Sequence, residues 1–254
     1  MALINCIESE LKEVKKQMVQ ETQFKSLSLE ELLEYEMNRL DQYLFPAIVL
    51  TIGKITGNER EASISLASIF QYVFLAHSIH RLVDKEDINT STRQYSVLIG
   101  DFTFGQTFYK ICDEKLYKYA WEFVKVIETI NEGVIMRWRL KDKNISLKDY
   151  RVIISKERAA LVGLAGRLAA KVAGLQEQYQ QILEEFSYSV GMAWAAWEEA
   201  VYTSIVQEYL AKAKSCIAEL KDSLPIKSLL EFFDFFCQEI NQEIKDEKIL
   251  FNVN

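Results

Sequence analysis

The sequence predicts an all-α protein, with one domain over residues 1–254 built as a bundle of about eight to ten helices. The 254 residues include only nine glycines and two prolines, whereas sandwiches and barrels need frequent turn residues. Hydrophobic residues make up 49% of the chain, which is enough to bury a large core. No composition shift marks a linker, so we expect the helices to share one core.

The first 25 residues predict a separate N-terminal helix. Residues 4 to 20 are amphipathic and rich in charge, and the charges interrupt the continuous apolar run that a signal peptide needs. We expect this helix to lie on the outside of the domain or on a partner.

The next helices are marked by caps and breaks. Ser28 and Glu31 have the spacing of a capping box, which places a helix N-terminus there. That helix runs towards Pro46, where the fixed φ and the missing N–H favour a break or a kink. An apolar helix then resumes and ends at Gly57.

The segment from residue 59 to 83 predicts a central helix, because it is apolar on nearly every face. Ala62 to Ile79 carries no formal charge over eighteen residues, near the lower length limit for a membrane span. Four serines, a glutamine and a histidine within it favour a buried helix instead. We therefore expect no transmembrane segment.

Further helices are predicted over residues 92–112, 114–141, 177–212 and 224–250, with Ser146 capping one more between them. The capped helix carries a stripe of small residues at spacings of three and four: Ala159, Gly163, Gly166, Ala170 and Gly174. A second helix can approach such a stripe closely, whether it belongs to this chain or to another subunit.

The bulk charge and the cysteines exclude several functions. A formal net charge of -7 repels a polyanion, so nucleic-acid binding is disfavoured. The four cysteines form no CxxC pair, which argues against a zinc site and against a disulfide framework. They are typical of free thiols in a reducing compartment, and we expect a cytoplasmic protein.

His77, His80 and Asp84 share one helical face and could offer three ligands to a metal. The competing interpretation, which we favour, is that the histidines make hydrogen bonds in the core or at a helix end. Arg81 beside them would repel a cation.

Three carboxylates interrupt apolar helices. Glu198 and Glu199 stand among tryptophans and alanines, where a buried carboxylate needs a partner or a raised pKa. They are candidates for a functional remnant, or else both reach the surface at the end of the bundle. For Asp101 we favour a structural hydrogen-bond acceptor over a catalytic group.

Five segments, in this order and spacing, resemble the trans-prenyl diphosphate synthase family over roughly residues 28 to 222. SIHRLVDKED and RQYSVLIGDF resemble the helix with the family's first aspartate-rich motif and the Ala-Gly-Asp-Tyr element after it. INEGVIM resembles the following helix, and SKERAALVGLAGRLAAKVAG resembles the segment around the family's Lys-Thr-Ala. GMAWAAWEEAVY aligns with the second aspartate-rich motif. The resemblance implies an isoprenoid-synthase-type helical bundle around a central cavity.

The first half of this pattern departs from the family at its charged positions. The first motif, normally two adjacent aspartates and a third three positions on, reads Arg81, Leu82 and then Asp84. A shorter INTSTR segment replaces the Arg-Arg-Gly that should follow. The Gly-Lys-Arg that binds isopentenyl diphosphate in the family reads DQYLFP, without a cation.

The second half departs as well. Glu157 and Arg158 stand at the Lys-Thr positions, with Lys156 one place away. In the second motif the paired aspartates are Glu198 and Glu199. The motif's later aspartate is Tyr202, and the preceding Phe-Gln is Trp194 and Ala195. Ionising a diphosphate requires carboxylates that hold magnesium and cations that absorb the charge of the leaving group.

With these departures, the chain resembles the small, non-catalytic subunit of heteromeric synthases, such as component 1 of heptaprenyl or hexaprenyl diphosphate synthase. The resemblance implies a heterodimer with a catalytic large subunit that carries Mg²⁺, and a role in product length and in menaquinone side-chain synthesis. It implies no catalytic residue, metal or other cofactor on this chain. Asp84, Asp87, Glu198 and Glu199 would then be vestigial metal ligands, and Phe70, Phe74 and Ala76 would line the product tunnel.

Two rival hypotheses stay open. One is an active enzyme on a prenyl or terpene diphosphate, with a metal site rebuilt from Asp84, Asp87, Glu198 and Glu199. The other is a carrier for an apolar ligand in the emptied cavity. A homodimer of the isolated chain is the alternative assembly.

Overall fold

The computed structural model describes residues 5–22, 37–58, 60–84, 90–141, 143–200 and 202–251, and these ranges consist of helices joined by short turns, without a strand. We number the ten α-helices of these ranges in chain order: α1 (Glu8–Glu21), α2 (Arg39–Thr56), α3 (Arg60–Arg81), α4 (Thr90–Asp113), α5 (Ala120–Arg139), α6 (Leu147–Ile154), α7 (Ala160–Val172), α8 (Glu177–Glu198), α9 (Thr203–Leu220) and α10 (Lys227–Phe251). A π-helical segment, Ser155–Ala159, joins α6 to α7 without a break. The all-α prediction is confirmed.

Helix α3 is the centre of the bundle. Almost every residue from Ser63 to His77 is buried, and α3 packs against α1, α2, α4 and α7. It is the one helix of the described ranges that is long and apolar enough to cross a membrane, and 89% of its most apolar window is buried. Burial on this scale is typical of a core helix, which agrees with the sequence-based expectation.

Helix α2 begins and ends at defined caps. The backbone N–H of Asp41 donates to Asn38 Oδ1 at 2.9 Å, and Asn38 N–H donates to Asp41 Oδ2 at 3.1 Å, which completes a capping box. Gly57, at φ +67°, ends the helix in the left-handed conformation. The predicted cap at Ser28 and Glu31 lies outside the described residues.

Of the break or kink predicted at Pro46, the break does not occur. Pro46 lies inside α2, which continues from Arg39 to Thr56. Residues 44 to 53 are all buried. Burial of this apolar surface outweighs the hydrogen bond lost at the proline, whose usual cost is about 3 kcal/mol.

Helix α1 docks on this domain. Ile7, Leu11, Val14 and Met18 are buried, and α1 packs against α3 and α2. Glu21 accepts a hydrogen bond from the hydroxyl of Tyr72 at 2.7 Å and one from Lys110 Nζ at 2.8 Å. Because Lys110 is buried, this ion pair ties the end of α1 to α4.

The stripe of small residues faces a helix of the same chain. A Cβ on Gly163 would lie 3.2 Å from Tyr188 Cβ, and one on Gly166 would lie 2.5 Å from the carbonyl oxygen of Leu183. Tyr188 and Leu183 belong to α8, so the stripe lets α7 and α8 pack backbone to backbone. The helix that approaches the stripe therefore belongs to this chain, which is one of the two alternatives left open by the sequence.

The predicted long helix over 177–212 is wrong, because the chain turns after Glu198 and restarts at Thr203. Ala200 has φ +52°, a left-handed conformation that costs a non-glycine residue of the order of 1 kcal/mol. The turn falls on the Glu198–Glu199 pair. Without it, both carboxylates would stay on a continuous helix.

The last helix is α10, which begins at Lys227, two residues after Pro225. Leu229, Phe232 and Phe236 are buried on its inner side. Arg39 at the start of α2 pairs with Glu239 at 2.6 Å, so α10 closes over α2.

Candidate functional site: an arginine-rich cavity

A cavity of about 910 Å³ opens between α2, α3, α5, the π-helical segment and the end of α8. Its lining combines apolar side chains with three arginines, one lysine and three carboxylates. The charged lining residues are Asp41, Arg81, Arg137, Lys141, Glu157, Arg158 and Glu198. The sequence segments that resemble the family's charged motifs therefore meet at one place.

Arg137 of α5 binds two glutamates at once. Its Nε lies 2.9 Å from both carboxylate oxygens of Glu157, and its Nη2 lies 2.7 Å from Glu199 Oε1. Glu157 is only 3% exposed, so this guanidinium neutralises a buried charge. The two carboxylates hold the pKa of Arg137 above its usual value in spite of its burial.

Arg158 engages the other glutamate of the pair. Its Nη2 lies 3.0 Å from Glu198 Oε2, and its guanidinium lies over the rings of Phe74 and Trp194, 5.2 and 4.8 Å from the centroids. Stacking of this kind stabilises a buried cation. Arg158 is 8% exposed, and its Nη1 has no hydrogen-bond partner among the described residues.

The π-helical segment explains how Glu157 and Arg158 both turn inward. A π turn adds a residue to the helix, which shifts the side chains that follow to a new face, and such turns are frequent at functional sites. Gly133 of α5 makes room for it, because a Cβ there would lie 2.8 Å from Glu157 Cγ. Nothing in the sequence pattern predicts a π turn.

Asp41 belongs to the site, although sequence reasoning noted only that its segment lacks a cation. It is 6% exposed, and its Oδ1 has no partner among the described residues. Burial, followed by the negative charge of Glu198, raises the pKa of Asp41 to about 7, although Arg158 acts in the opposite direction. The capping-box spacing of Asn38 and Asp41 was the available signal.

The predicted histidine face divides into two environments. His77 is buried and its Nε2 has no partner among the described residues, while burial and then the charges of Arg158 and Arg81 lower its pKa to about 3. His80 Nε2 lies 3.2 Å from Asp101 Oδ1. This contact supports the structural role that we favoured for Asp101.

Gly100 gives the ring of His80 its place between α3 and α4. A Cβ on Gly100 would lie 2.1 Å from His80 Cδ2. The ring also packs against Phe104, with 5.5 Å between the centroids. The contact fixes His80 against α4, on the side where Asp101 lies.

The described residues do not fit magnesium. No group of three or more His, Cys, Asp or Glu side chains is placed to hold a metal in the described ranges. Glu198 and Glu199 each bind an arginine, and a guanidinium beside a carboxylate repels a divalent cation. Asp87 and the side chain of Asp84 lie outside the described residues.

Phe74 is the tunnel-wall candidate that lines the cavity. Its ring packs on Phe45 and on Trp194, at centroid distances of 5.1 and 5.4 Å. Phe70 is fully buried and packs on Phe123 at 5.0 Å, and Ala76 is fully buried as well. These two side chains lie in the core and are not part of the lining.

Known proteins resemble this chain in sequence and in fold. No family model matches the chain. The chain is 24% identical over 192 residues to the octaprenyl diphosphate synthase of Haemophilus influenzae, and 22% identical over 192 residues to that of Escherichia coli. These alignments cover 71% of this chain and 58% and 59% of the relatives, so the chain spans about three fifths of the length of the curated relatives it matches.

Solved structures share the fold over nearly the whole chain. A decaprenyl diphosphate synthase from Rhodobacter capsulatus matches with a TM-score of 0.77 at 13% identity, over 94% of this chain and 97% of that one. The geranyl diphosphate synthase small subunit from Antirrhinum majus matches with a TM-score of 0.70 at 14% identity, over 92% and 96%. The fold is therefore the isoprenoid-synthase helical fold, and sequence relatives and structural neighbours together support the resemblance of this chain to the trans-prenyl diphosphate synthase family.

Proposed function

We propose that this chain is the non-catalytic regulatory subunit of a heterodimeric medium- or long-chain polyprenyl diphosphate synthase that makes an isoprenoid quinone side chain. The observation that carries the proposal is the pairing of the two glutamates of the second motif with arginines. Arg137 binds Glu199 and Arg158 binds Glu198, so both carboxylates of that motif are occupied by arginines of the same chain.

The chemistry of diphosphate ionisation supports this reading. A departing diphosphate needs several carboxylates that hold magnesium above it, together with free cations that take up its charge. In this cavity arginines already neutralise the glutamates, and the first motif contributes Arg81 in place of an aspartate. The catalytic step is therefore assigned to a partner subunit with both motifs intact.

An exposed apolar surface supplies a place for that partner. Ten of the twelve exposed large hydrophobic residues in the described ranges lie between residues 97 and 138. We call this set the α4–α5 apolar face: Val97, Leu98, Phe102, Phe108, Tyr109, Tyr117, Trp121, Val124, Ile135 and Trp138. Leu98 and Trp121 are each 66% exposed, and we propose that these exposed side chains of α4 and α5 form one interaction surface.

The α4–α5 apolar face extends to the cavity, because Ile135 and Trp138 belong to both. A catalytic subunit bound there would touch the mouth of the cavity. Among the solved structures of this fold is the small subunit of a geranyl diphosphate synthase, which supports a two-subunit assembly for this chain as well.

Reconstitution tests the proposal. The chain is purified alone and together with a synthase from the same genome that carries both aspartate-rich motifs, and the products of elongation with isopentenyl diphosphate are analysed by chain length. We expect the pair to form a complex whose yield or product length differs from that of the synthase alone. Products of the same amount and length with and without this chain would refute the proposed function.

A further inference from the structure

Two buried polar groups at the cavity have no hydrogen-bond partner among the described residues. Arg158 Nη1 and Asp41 Oδ1 are inaccessible to solvent, make no hydrogen bond to a described residue, and belong to side chains that line the cavity. Their parent residues are 8% and 6% exposed. Native structures rarely leave such groups unsatisfied. Because Arg158 borders the cavity, a rotation of its guanidinium would let an acceptor bound there satisfy the Nη1 donor.

The described charges around the cavity leave room for at most one negative charge. Four cationic side chains line it: Arg81, Arg137, Lys141 and Arg158. Three glutamates oppose them, namely Glu157, Glu198 and the adjoining Glu199. Asp41, whose pKa is raised to about 7, carries about half of a negative charge at pH 7. The surplus is therefore at most one positive charge.

The remaining lining is hydrophobic. Apolar side chains from four segments contribute to it, including Phe74, Ile79, Leu82, Val134 and Ile145. A volume of about 910 Å³ lies within the usual range of small-molecule sites, and pockets of this kind combine an apolar wall with a few polar anchors. Such a lining suits a hydrocarbon tail.

We propose that this cavity binds a long-chain carboxylate, with the head group on Arg158 and Arg81 and the tail along the apolar wall. The inference goes beyond the proposed subunit role, because it concerns a ligand of the isolated chain. A diphosphate fits less well, since it brings two or more charges where the described residues leave at most one and supply no magnesium site. Fatty acids and isoprenoid acids share the required chemistry.

Calorimetry on the full chain without magnesium tests the ligand class. The probes are oleate, farnesoate, oleyl alcohol as the uncharged counterpart, and farnesyl diphosphate in EDTA. We expect one of the carboxylates to bind at least about 10-fold more tightly than oleyl alcohol, because a charge-assisted hydrogen bond contributes that much or more. Whichever of oleate and farnesoate binds more tightly shows whether the cavity prefers a fatty-acid tail or an isoprenoid tail. Equal binding of alcohol and carboxylate, or tighter binding of farnesyl diphosphate, would overturn the proposal.

Two variants test the location. The double variant Arg158→Gln with Glu198→Gln removes the anchor without leaving Glu198 unpaired, and it should weaken carboxylate binding about 10-fold or more. Ser78→Phe fills the lining from the half-buried side of α3, leaves the arginines in place and should abolish binding. Unchanged carboxylate affinity in either folded variant would overturn the proposed site. Because these measurements use the chain alone, they fail independently of the reconstitution with a synthase.

Discussion

Arg158 Nη2 lies 3.0 Å from Glu198 Oε2, and its guanidinium is stacked over Trp194, so an internal cation occupies the carboxylate that the family resemblance assigns to magnesium. The Arg158 side chain is 10% exposed and the Glu198 side chain is 26% exposed. Removing Glu198 would leave the buried guanidinium of Arg158 without its partner. The pair is therefore part of the structure of the cavity.

Arg137→Leu should destabilise the fold by about 3 kcal/mol, because it leaves the buried carboxylate of Glu157 without its guanidinium. Chemical denaturation measures the free energy of unfolding. Arg167→Gln is the control, since Arg167 also bridges two glutamates, Glu177 and Glu184, but their side chains are 58% and 37% exposed, whereas that of Glu157 is 2% exposed. Equal effects of the two substitutions would show that the cavity network contributes nothing special to stability.

Gly166→Ala should destabilise the protein by roughly 1 to 3 kcal/mol, because the new Cβ would lie 2.5 Å from the carbonyl oxygen of Leu183. Neither backbone can move without separating α7 from α8. Gly105→Ala on α4 meets no atom within 4 Å and should be neutral or stabilise the helix by up to about 1 kcal/mol. Thermal melts of both variants check the contrast, and a neutral Gly166→Ala would contradict the close packing.

The raised pKa of Asp41 predicts a dependence of stability on pH. An aspartate titrates near pH 4 when unfolded, whereas Asp41 titrates near 7 when folded, so between these values the folded state holds the additional proton. Stability from this group is therefore fully present at acidic pH and is lost as the pH rises towards 7. The slope is at most about 1.4 kcal/mol per pH unit.

Asp41→Asn removes this slope and mimics the protonated carboxyl. The wild type should lose stability relative to the variant between about pH 5 and 7. The comparison must be a difference between the two proteins, because the lowered pKa of His77 gives a slope of opposite sign below about pH 6.5 in both. Stability curves that stay parallel over this range would contradict the raised pKa.

Part of this picture was predictable from the sequence. Ser146 was predicted to cap a helix, and the N–H of Asp149 donates to Ser146 Oγ at 3.1 Å. Gly57 ends α2, as predicted from the preference of helix ends for glycine. Glu198 and Glu199 stood out because carboxylates in an apolar helix need a partner. Each of these signals depends on residues that are close together in the sequence, so the sequence alone is enough to predict it.

The remainder depends on tertiary contacts. The arginine that binds Glu199 lies 62 residues away along the chain, and no local pattern identifies it as Arg137. The turn at Ala200 contains no residue with a preference for positive φ, so its sequence continues the helical pattern. Pro46 stays in a helix because the surrounding core outweighs its local cost. These three features lie in the lining of the cavity or in the helices that surround it.

The α4–α5 apolar face should hold the partner. Trp121→Ala removes a side chain that is 66% exposed, so the isolated chain should keep its stability while affinity for the synthase falls about 10-fold or more. Leu230→Ala on α10, also exposed but away from this face, is the control. Surface plasmon resonance measures both. A complex that tolerates Trp121→Ala as well as Leu230→Ala would place the interface elsewhere.

The glutamates of the second motif bind arginines of their own chain, and we propose that they hold no catalytic magnesium. The most direct measurement is prenyl transfer from an allylic diphosphate to isopentenyl diphosphate by the purified chain alone, across a magnesium titration. We expect no elongated product at any magnesium concentration. Product that requires magnesium and disappears in Glu198→Gln would contradict the claim.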